Sequence, residues 1–308
     1  MARQGKGVIM TTEFKQKLLS LRPRQPRTVA LACATDPHAL AALAAAYNLG
    51  FINAILCGNE TEIKSVASAH SIDISSFRIV HCDDELSAVQ SAISLVRGGD
   101  ADILMKGQVH TADLLRAVLN KEKGIRTPGV LSHVAVLYSP SRNRTLFMTD
   151  IAMVMYPDLD KKVQLINNAV SFAHHMGVAE PRVAALCAVE TLNPAMPATV
   201  DAMALHDMNK AGKINGCIIS GPISFDIATV PAAARAKGYS GPIQGNADIL
   251  LFHNIEAGNN TIKAMVQFGD WIFAGVVLGA RAPIVLNSRS DSDASKLYSI
   301  ACACSMCD

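Results

Sequence analysis

The residues best suited to chemistry are Ser288 and Arg289, which come directly after the apolar run PIVLN, residues 283–287. Ligands of open α/β sheets bind beyond the carboxyl ends of the strands, so a strand here would place both side chains at such an end. Arginine stays protonated, and its fixed fork of donors matches phosphate or carboxylate oxygens. The segment predicts an anion site. A solvated helix cap over 288–293 is the alternative, and the residues leave both open.

A second candidate anion site lies between the apolar run DILM and the helical pattern ADLLRAVLNKEK. It offers a lysine, Lys106, a glycine that lets the backbone approach a ligand, Gly107, and a helix start at Thr111 with unpaired N–H groups. The segment matches neither G-x-x-x-x-G-K-[ST] nor G-x-G-x-x-G, so no nucleotide phosphate loop is predicted. A plain turn with a solvated Lys106 remains the alternative.

Residues beside other apolar runs are further candidates for substrate binding. His133 could act as an acid or base near neutral pH, although a histidine that heads an apolar strand is also typical of a structural residue. Asn259 follows the run ADILLF in a polar turn, where Glu256 could order the loop. These candidate substrate-binding residues are Ser132, His133, Asp150, Gly221, Pro222 and Asn259.

Short apolar runs that alternate with helical stretches must position these side chains. Stretches with helical spacing, such as 161–177 and 199–212, separate the runs, and this alternation predicts βαβ units with a largely parallel sheet. The fold class is therefore α/β. The runs are TVALACA, FINAILC, RIVHC, DILM, HVAVLY, TLFMTD, RVAALCA, GCIIS, ADILLF, WIFAGVVLG and PIVLN.

Length and composition bound the organisation and the partners. A chain of 308 residues, half of them apolar, predicts two domains, with a change of pattern near 142–144. The net charge is +2 without a basic run, so neither nucleic acid nor an anionic membrane is expected as a partner. No run is long enough to span a bilayer and the start lacks the apolar core of a signal peptide, which together predict a cytoplasmic protein.

The eight cysteines mostly fall inside apolar runs, which favours buried thiols over a disulfide framework. The terminal CACSMC lacks a histidine and a second Cys-x-x-Cys, so an ordinary helix is expected there and no metal site.

Several segments, taken in order, resemble the phosphate acetyltransferase and phosphate butyryltransferase family from about residue 28 to the C-terminus. MKG, SHVAV and SRSDS resemble the butyryltransferase branch more closely. The segments are ADILMKGQVHTADLLRAVLNKEKGIR, LSHVAVL, FMTDIAMVMYPDLDKK, AVETLNPAMPATVDAMAL, ADILLFHNIEAGN and GARAPIVLNSRSDS.

The resemblance implies a reversible exchange in which an acyl-coenzyme A and inorganic phosphate give an acyl phosphate and free coenzyme A. It implies two α/β domains, similar to isocitrate and isopropylmalate dehydrogenases, that flank an active-site cleft, with the C-terminal helix returning to the first domain. The expected domains are 1–140 with 290–308, and 141–289. A homodimer or higher homo-oligomer is implied, with coenzyme A as a substrate, no tightly bound cofactor and no metal.

The resemblance also assigns catalytic roles. Ser288 and Arg289 match the Ser-Arg motif that stabilises the charge of the transition state, and the thiolate of coenzyme A attacks the acyl phosphate directly. The acetyltransferase branch has an acid six residues after the arginine, where this chain has Ser295. Asp291 is the substitute candidate for the base that takes the thiol proton.

Four departures from the family pattern are Val154, Ser220, Asn246 and Asn254, where the family has an asparagine and three aspartates. They suggest a different acyl chain or weaker catalysis, and Val154 can neither donate nor accept a hydrogen bond. The leading hypothesis is a phosphate acyltransferase for a short or branched acyl chain. The alternatives are a catalytically silent relative that binds coenzyme A or an acyl phosphate, and a nicotinamide-dependent dehydrogenase, which the missing G-x-G-x-x-G disfavours.

Overall fold

A computed structural model describes residues 11–288 and 291–307 of the chain. The chain forms two compact units. Unit 1 consists of the described residues up to Gly129 and those from Ile272 onward, and unit 2 consists of Val130–Trp271. Within the described residues, no helix is both long and apolar enough to cross a membrane.

Unit 1 builds a sheet with helices on it. Its strands are β1 (Arg27–Ala32), β2 (Ile52–Gly58), β3 (Arg78–His81), β4 (Ile103–Lys106), β10 (Ile272–Leu278) and β11 (Ile284–Val285). Its helices are α1 (Thr12–Leu19), α2 (Pro37–Asn48), α3 (Glu60–Ala69), α4 (Glu85–Gly98), α5 (Thr111–Val118) and α11 (Asp293–Ser305).

The strand order in unit 1 is β3-β2-β1-β4-β11-β10. All neighbours are parallel except β10 and β11, which form an antiparallel pair. The core lies around β1, whose last four residues, Val29–Ala32, are fully buried, and α11 packs on α2 and β10. Apolar runs that are covered on both faces are typical of parallel sheets.

Unit 2 follows the same plan. Its strands are β5 (Ser132–Ser139), β6 (Arg144–Thr149), β7 (Arg182–Leu186), β8 (Ile218–Ile223) and β9 (Ile249–Leu251). Its helices are α6 (Leu159–His175), α7 (Pro197–Lys210), α8 (Phe225–Thr229), α9 (Pro231–Ala236) and α10 (Ile255–Phe268). The strand order is β5-β6-β9-β7-β8, in which only β5 and β6 are antiparallel. The predicted α/β class with largely parallel sheets is confirmed.

Both unit boundaries precede those expected from the sequence, 140/141 and 289/290. The expected first boundary coincides with the turn of the hairpin that β5 forms with β6, so β5 belongs to unit 2. The expected second boundary lies beyond β10 and β11, which pair with each other and with β4 in unit 1.

Short polar side chains begin many of the helices, because an oxygen at the cap position accepts one of the free N–H groups of the first turn. The capping residues are Thr11, Asp36, Asn59, Asp84, Asp158, Asn254 and Ser292. Asn59 directly follows β2, and Asp36, Asp84 and Asn254 each stand within a short segment after a strand.

Candidate active site

One edge of unit 1 collects the polar segments that follow its parallel strands. Because β1, β4 and β11 run parallel and adjacent, their carboxyl ends meet at the same edge. The described segments that leave this edge are 33–36, 107–110, 286–288 and 291–292. This is where ligands of open α/β sheets bind.

The segment after β11 forms a turn that Asp291 braces. Its Oδ2 accepts the backbone N–H of Ser288 at 2.8 Å and the side-chain amide of Asn287 at 3.0 Å. The backbone N–H of Asp291 donates back to the Ser288 carbonyl at 3.1 Å. Ser288 is exposed beside this turn, and Arg289 lies outside the described residues.

Lys296 on α11 also stabilises this turn. The sequence analysis did not identify this residue. Its side chain is only 2% exposed, and Nζ donates to the carbonyls of Ser288 at 3.1 Å and Asp291 at 2.8 Å. A lysine inside the otherwise buried run SKLYSIACAC was the available signal, because an ionised side chain is rarely buried without partners.

The predicted helix cap after the turn is also present. Ser292 caps α11, and its Oγ accepts the Ser295 backbone N–H at 3.1 Å. The Ser292 hydroxyl lies 3.1 Å from the Ser295 hydroxyl, so Ser295 belongs to the cap. The capped helix and the polar strand end are therefore features of the same segment.

Gly107 allows the end of β4 to lie close to the backbone at the end of β1. A Cβ added there would lie 2.3 Å from the Cys33 carbonyl oxygen and 2.7 Å from that of Ala32. The Gly107 N–H donates to the Ala32 carbonyl at 2.9 Å, which ties the end of β4 to the end of β1. Lys106 is 8% exposed, and its ammonium group donates to the carbonyls of Gly107 and Val109 at 3.3 and 3.4 Å. Both residues thus shape the strand end.

Thr111 is the first residue of α5, and His110 occupies the cap position. No side chain of the described residues caps this helix end. Helix starts carry free N–H groups and a partial positive charge, so the arrangement suits an anion.

Cys33 sits at the same edge but is a poor nucleophile. Burial raises the pKa of its thiol to about 12, with smaller contributions in the same direction from Glu85 and Cys82, against which Lys106 acts. The neutral thiol is neither nucleophile nor metal ligand, so this cysteine is structural.

In unit 2, Asp150 uses its carboxylate to hold backbone. Oδ2 accepts the N–H of His133 at 2.9 Å, and Oδ1 accepts the N–H groups of Ala152 and Met153, both at 2.7 Å. The side chain is 2% exposed. Ser132, next to His133 on β5, accepts from the Asn168 side-chain amide at 2.8 Å. The end of β6 is therefore fixed to the start of β5.

Asn259 joins this group, although it lies inside α10 and not in a turn. Its side-chain amide donates to the Ile151 carbonyl at 3.0 Å. The preceding Gly258 leaves room for the chain, because a Cβ there would approach the Asp150 carbonyl oxygen to 2.7 Å. The structure thus brings Ser132, His133, Asp150 and Asn259 together.

Gly221 and Pro222 stand apart from that group, and they lie within β8 and not beyond its end. A Cβ on Gly221 would meet the Ala185 Cβ at 2.8 Å, so glycine allows β8 to pack closely on β7. The neighbouring Ser220 hydroxyl is hydrogen-bonded to the Tyr239 hydroxyl at 2.7 Å.

Like Ser220, two further departures from the family pattern make hydrogen bonds. The Asn254 side chain caps α10 by accepting the Ala257 N–H at 2.9 Å, and Asn246 accepts the Gln244 N–H at 2.9 Å. An amide oxygen serves these N–H groups as a carboxylate oxygen would. Val154 is half-buried in the segment between β6 and α6.

A buried lysine at the carboxyl ends of β7 and β9 is a further group that the sequence reasoning missed. Lys162 is 2% exposed, and its Nζ lies 2.5 Å from Asp201 Oδ2 and 2.8 Å from His253 Nδ1. Burial, followed by the lysine charge, lowers the pKa of His253, so its neutral ring accepts from Lys162. The signal was the helical spacing of Lys162 with Leu165 and the other apolar residues of α6.

Comparison with known proteins places this arrangement in a family. Residues 84–304 match the family model described as "Phosphate acetyl/butaryl transferase". The phosphate butyryltransferase of Clostridium acetobutylicum is 42% identical over 96% of this chain and 98% of its own length. The phosphate acetyltransferase of Rhizobium meliloti is 38% identical over 95% and 92%.

A solved structure of a related enzyme is also similar to this chain. The branched-chain phosphotransacylase from Enterococcus faecalis V583 is 33% identical, with a TM-score of 0.81 that covers 91% of this chain and 98% of the other.

Proposed function

Because the chain belongs to the phosphate acetyl/butaryl transferase family, we propose that it transfers a short or branched acyl group reversibly between coenzyme A and inorganic phosphate. The observation that carries the proposal is the 42% identity to a phosphate butyryltransferase over nearly the whole length of both chains. The likeness to a branched-chain phosphotransacylase supports a branched substrate as well as a linear one.

The acyl group moves directly between the two substrates. The coenzyme A sulfur attacks the carbonyl carbon of the acyl phosphate, a C–S bond forms, the C–O bond to phosphate breaks, and phosphate leaves with the electron pair. The raised pKa of Cys33 supports a route without an acyl-cysteine, because a neutral thiol at this edge is a weak nucleophile. Coenzyme A is a substrate in this scheme, and no tightly bound cofactor takes part.

Ser288 and Arg289 hold the acyl phosphate. A guanidinium that is fixed before the reaction stabilises the negative charge that develops on the carbonyl and phosphate oxygens. The support is the brace around Ser288, since Asp291 accepts its backbone N–H and Lys296 donates to its carbonyl. Asp291 was the candidate base; the two donors on its Oδ2 favour a role in positioning the turn.

The phosphate binds at the start of α5. Lys106 supplies positive charge and Thr111 supplies the first helical N–H, while Gly107 keeps the end of β4 against β1. In unit 2, the substrate is bound through the segment that Asp150 orders.

Three of the remaining candidates in unit 2 support that segment. His133 and Ser132 fix its start, and Asn259 holds it from α10. Gly221 and Pro222 act separately, because they set the path of β8 against β7.

The proposed enzyme works in the cytoplasm as a homodimer or larger homo-oligomer. The eight cysteines are free thiols, and this supports a reducing compartment. Light scattering on the purified protein measures the oligomeric state, and a mass equal to one chain would refute this part of the proposal.

The test mixes the purified protein with phosphate and acetyl, propionyl, butyryl, isobutyryl or isovaleryl coenzyme A and follows thiol release. We expect turnover with the four-carbon and branched thioesters. Arg289→Ala should lower kcat/KM by about 10²–10³, the usual loss when a group that stabilises transition-state charge is removed. Arg281→Ala is the matched control, because Arg281 is exposed just before β11. If none of the thioesters releases thiol, the proposal is refuted. Near-normal turnover by Arg289→Ala would show that Arg289 has no role in the reaction.

A further inference from the structure

The proposed transfer needs a base at the edge of unit 1 that Ser295 cannot supply. The thiolate is the nucleophile, and an ordinary thiol with a pKa of about 8.5 is only a few per cent ionised at neutral pH. Ser295 is part of the α11 cap, and Asp291 is committed to the turn through two N–H donors. A different proton acceptor must therefore lie near this turn.

A histidine and a carboxylate are hydrogen-bonded to each other at this edge. His38 Nδ1 lies 2.9 Å from Asp293 Oδ1. His38 is the second residue of α2, which begins just after β1, and Asp293 is the first residue of α11, which begins just after the braced turn. The pair therefore stands two residues beyond Asp291, at the carboxyl ends of the same parallel strands. The His38 side chain is 60% exposed, so a bulky thiol substrate can reach it.

We propose that His38, oriented by Asp293, is the base that takes the proton from the thiol of coenzyme A. This inference rests on the proposed function. The carboxylate accepts the Nδ1 proton and fixes the tautomer that leaves the Nε2 lone pair available, the arrangement used by histidine bases elsewhere. His38 Nε2 takes the S–H proton as the C–S bond forms, and the proton passes to the departing phosphate. The carboxylate also stabilises the imidazolium that exists in between.

The charges around the pair fit a base. Asp36, the cap of α2, accepts the His38 backbone N–H at 3.0 Å. On α11, which packs on α2, the charged groups are Asp293 and the buried Lys296, and Lys296 donates to two carbonyls of the turn. α11 also carries the buried phenol of Tyr298 and the buried thiols of Cys302 and Cys304. On α3, which also packs on α2, Glu60 and Lys64 pair at 2.6 Å and Glu62 is exposed, while β2 adds the buried thiol of Cys57.

The test follows acyl-coenzyme A formation from acyl phosphate and coenzyme A at saturating substrates between pH 6 and 9.5. At pH 7, His38→Ala should lower kcat by about 10²–10⁴, the usual contribution of a general base. The deficit should shrink about tenfold per pH unit toward the thiol pKa of about 8.5, because solution then supplies the thiolate. Added imidazole should restore part of the lost rate.

Matched variants separate this role from a structural one. His81→Ala removes a similar exposed histidine, 3.2 Å from Asp83 in the same unit, and should keep the wild-type rate at every pH. Asp293→Asn should lower kcat in the same direction, and the double variant should be no slower than His38→Ala alone because the pair acts as one unit. Circular dichroism verifies the fold, and His38→Gln replaces His38→Ala if that variant does not fold.

Three results would overturn the inference while the wild type still turns over: a wild-type rate for His38→Ala, a deficit that is equal at every pH, or an equal loss in His81→Ala. If the wild type itself forms no acyl-coenzyme A, the proposed function has failed and not merely the assignment of the base.

Discussion

Replacing Lys296 by methionine tests whether the turn after β11 is held by a buried cation. The variant keeps the length of the side chain but removes the donor from the carbonyls of Ser288 and Asp291. Each hydrogen bond to a charged group contributes about 1.5–3 kcal/mol, and the variant loses two of them. The apolar methionine recovers part of this loss, because it avoids the burial of a charge. We expect a net loss of about 2–4 kcal/mol from the stability of unit 1.

The assay is thermal unfolding together with turnover. Since about 1 kcal/mol shifts the Tm of a domain of 150–250 residues by about 2–4 °C, the transition of unit 1 should fall by about 5–15 °C. Displacing the turn by about 1 Å should lower kcat/KM by about 10² even well below that temperature. Lys121→Met, at an exposed position in the same unit, is the control and should match the wild type in both measurements. A Lys296→Met protein with unchanged kcat/KM would refute the positioning role, and an unchanged Tm would refute the energetic argument.

Other changes test the packing around the site. Gly107→Ala should cost about 1–3 kcal/mol of stability, because its Cβ would lie 2.3 Å from a carbonyl oxygen; an unaltered Tm would contradict the close approach. Cys33 and Cys57, whose pKa values burial raises to about 12, stay neutral at pH 8 and should resist brief alkylation by iodoacetamide; rapid labelling in peptide mass spectrometry would argue otherwise. Asn254→Asp should raise stability by about 0.3–1 kcal/mol, because a carboxylate at a helix start favours the dipole, and a lowered Tm would count against this.

The sequence predicted what depends on local pattern. Alternating apolar runs and helical stretches gave the α/β class, and the polar burst at Ser288 was placed correctly beyond a strand, β11, and before a capped helix. The two antiparallel pairs were not foreseen, because a buried strand has the same composition whichever way its neighbour runs. The change of pattern near 142–144, on which the expected domain boundary rests, coincides with the turn of the β5–β6 hairpin.

Contacts between distant residues account for what the sequence could not give. From the sequence alone, Asp150 could equally bind a substrate or hold the backbone. Its three N–H donors, which the structure shows, favour the second role. Gly107 allows approach to a neighbouring strand end that lies over seventy positions earlier, which no local motif reveals. The His38–Asp293 pair joins the starts of the second and the last helix, so neither residue drew attention alone.

The most direct test of the account is the identity of the product. Protein, phosphate and butyryl or isobutyryl coenzyme A are incubated, released thiol is titrated, and acyl phosphate is trapped by hydroxylamine as the hydroxamate. The account predicts one hydroxamate for each thiol released, and no release when phosphate is omitted. Thiol release without hydroxamate, or release that does not need phosphate, would mean that the protein hydrolyses the thioester and does not transfer its acyl group to phosphate.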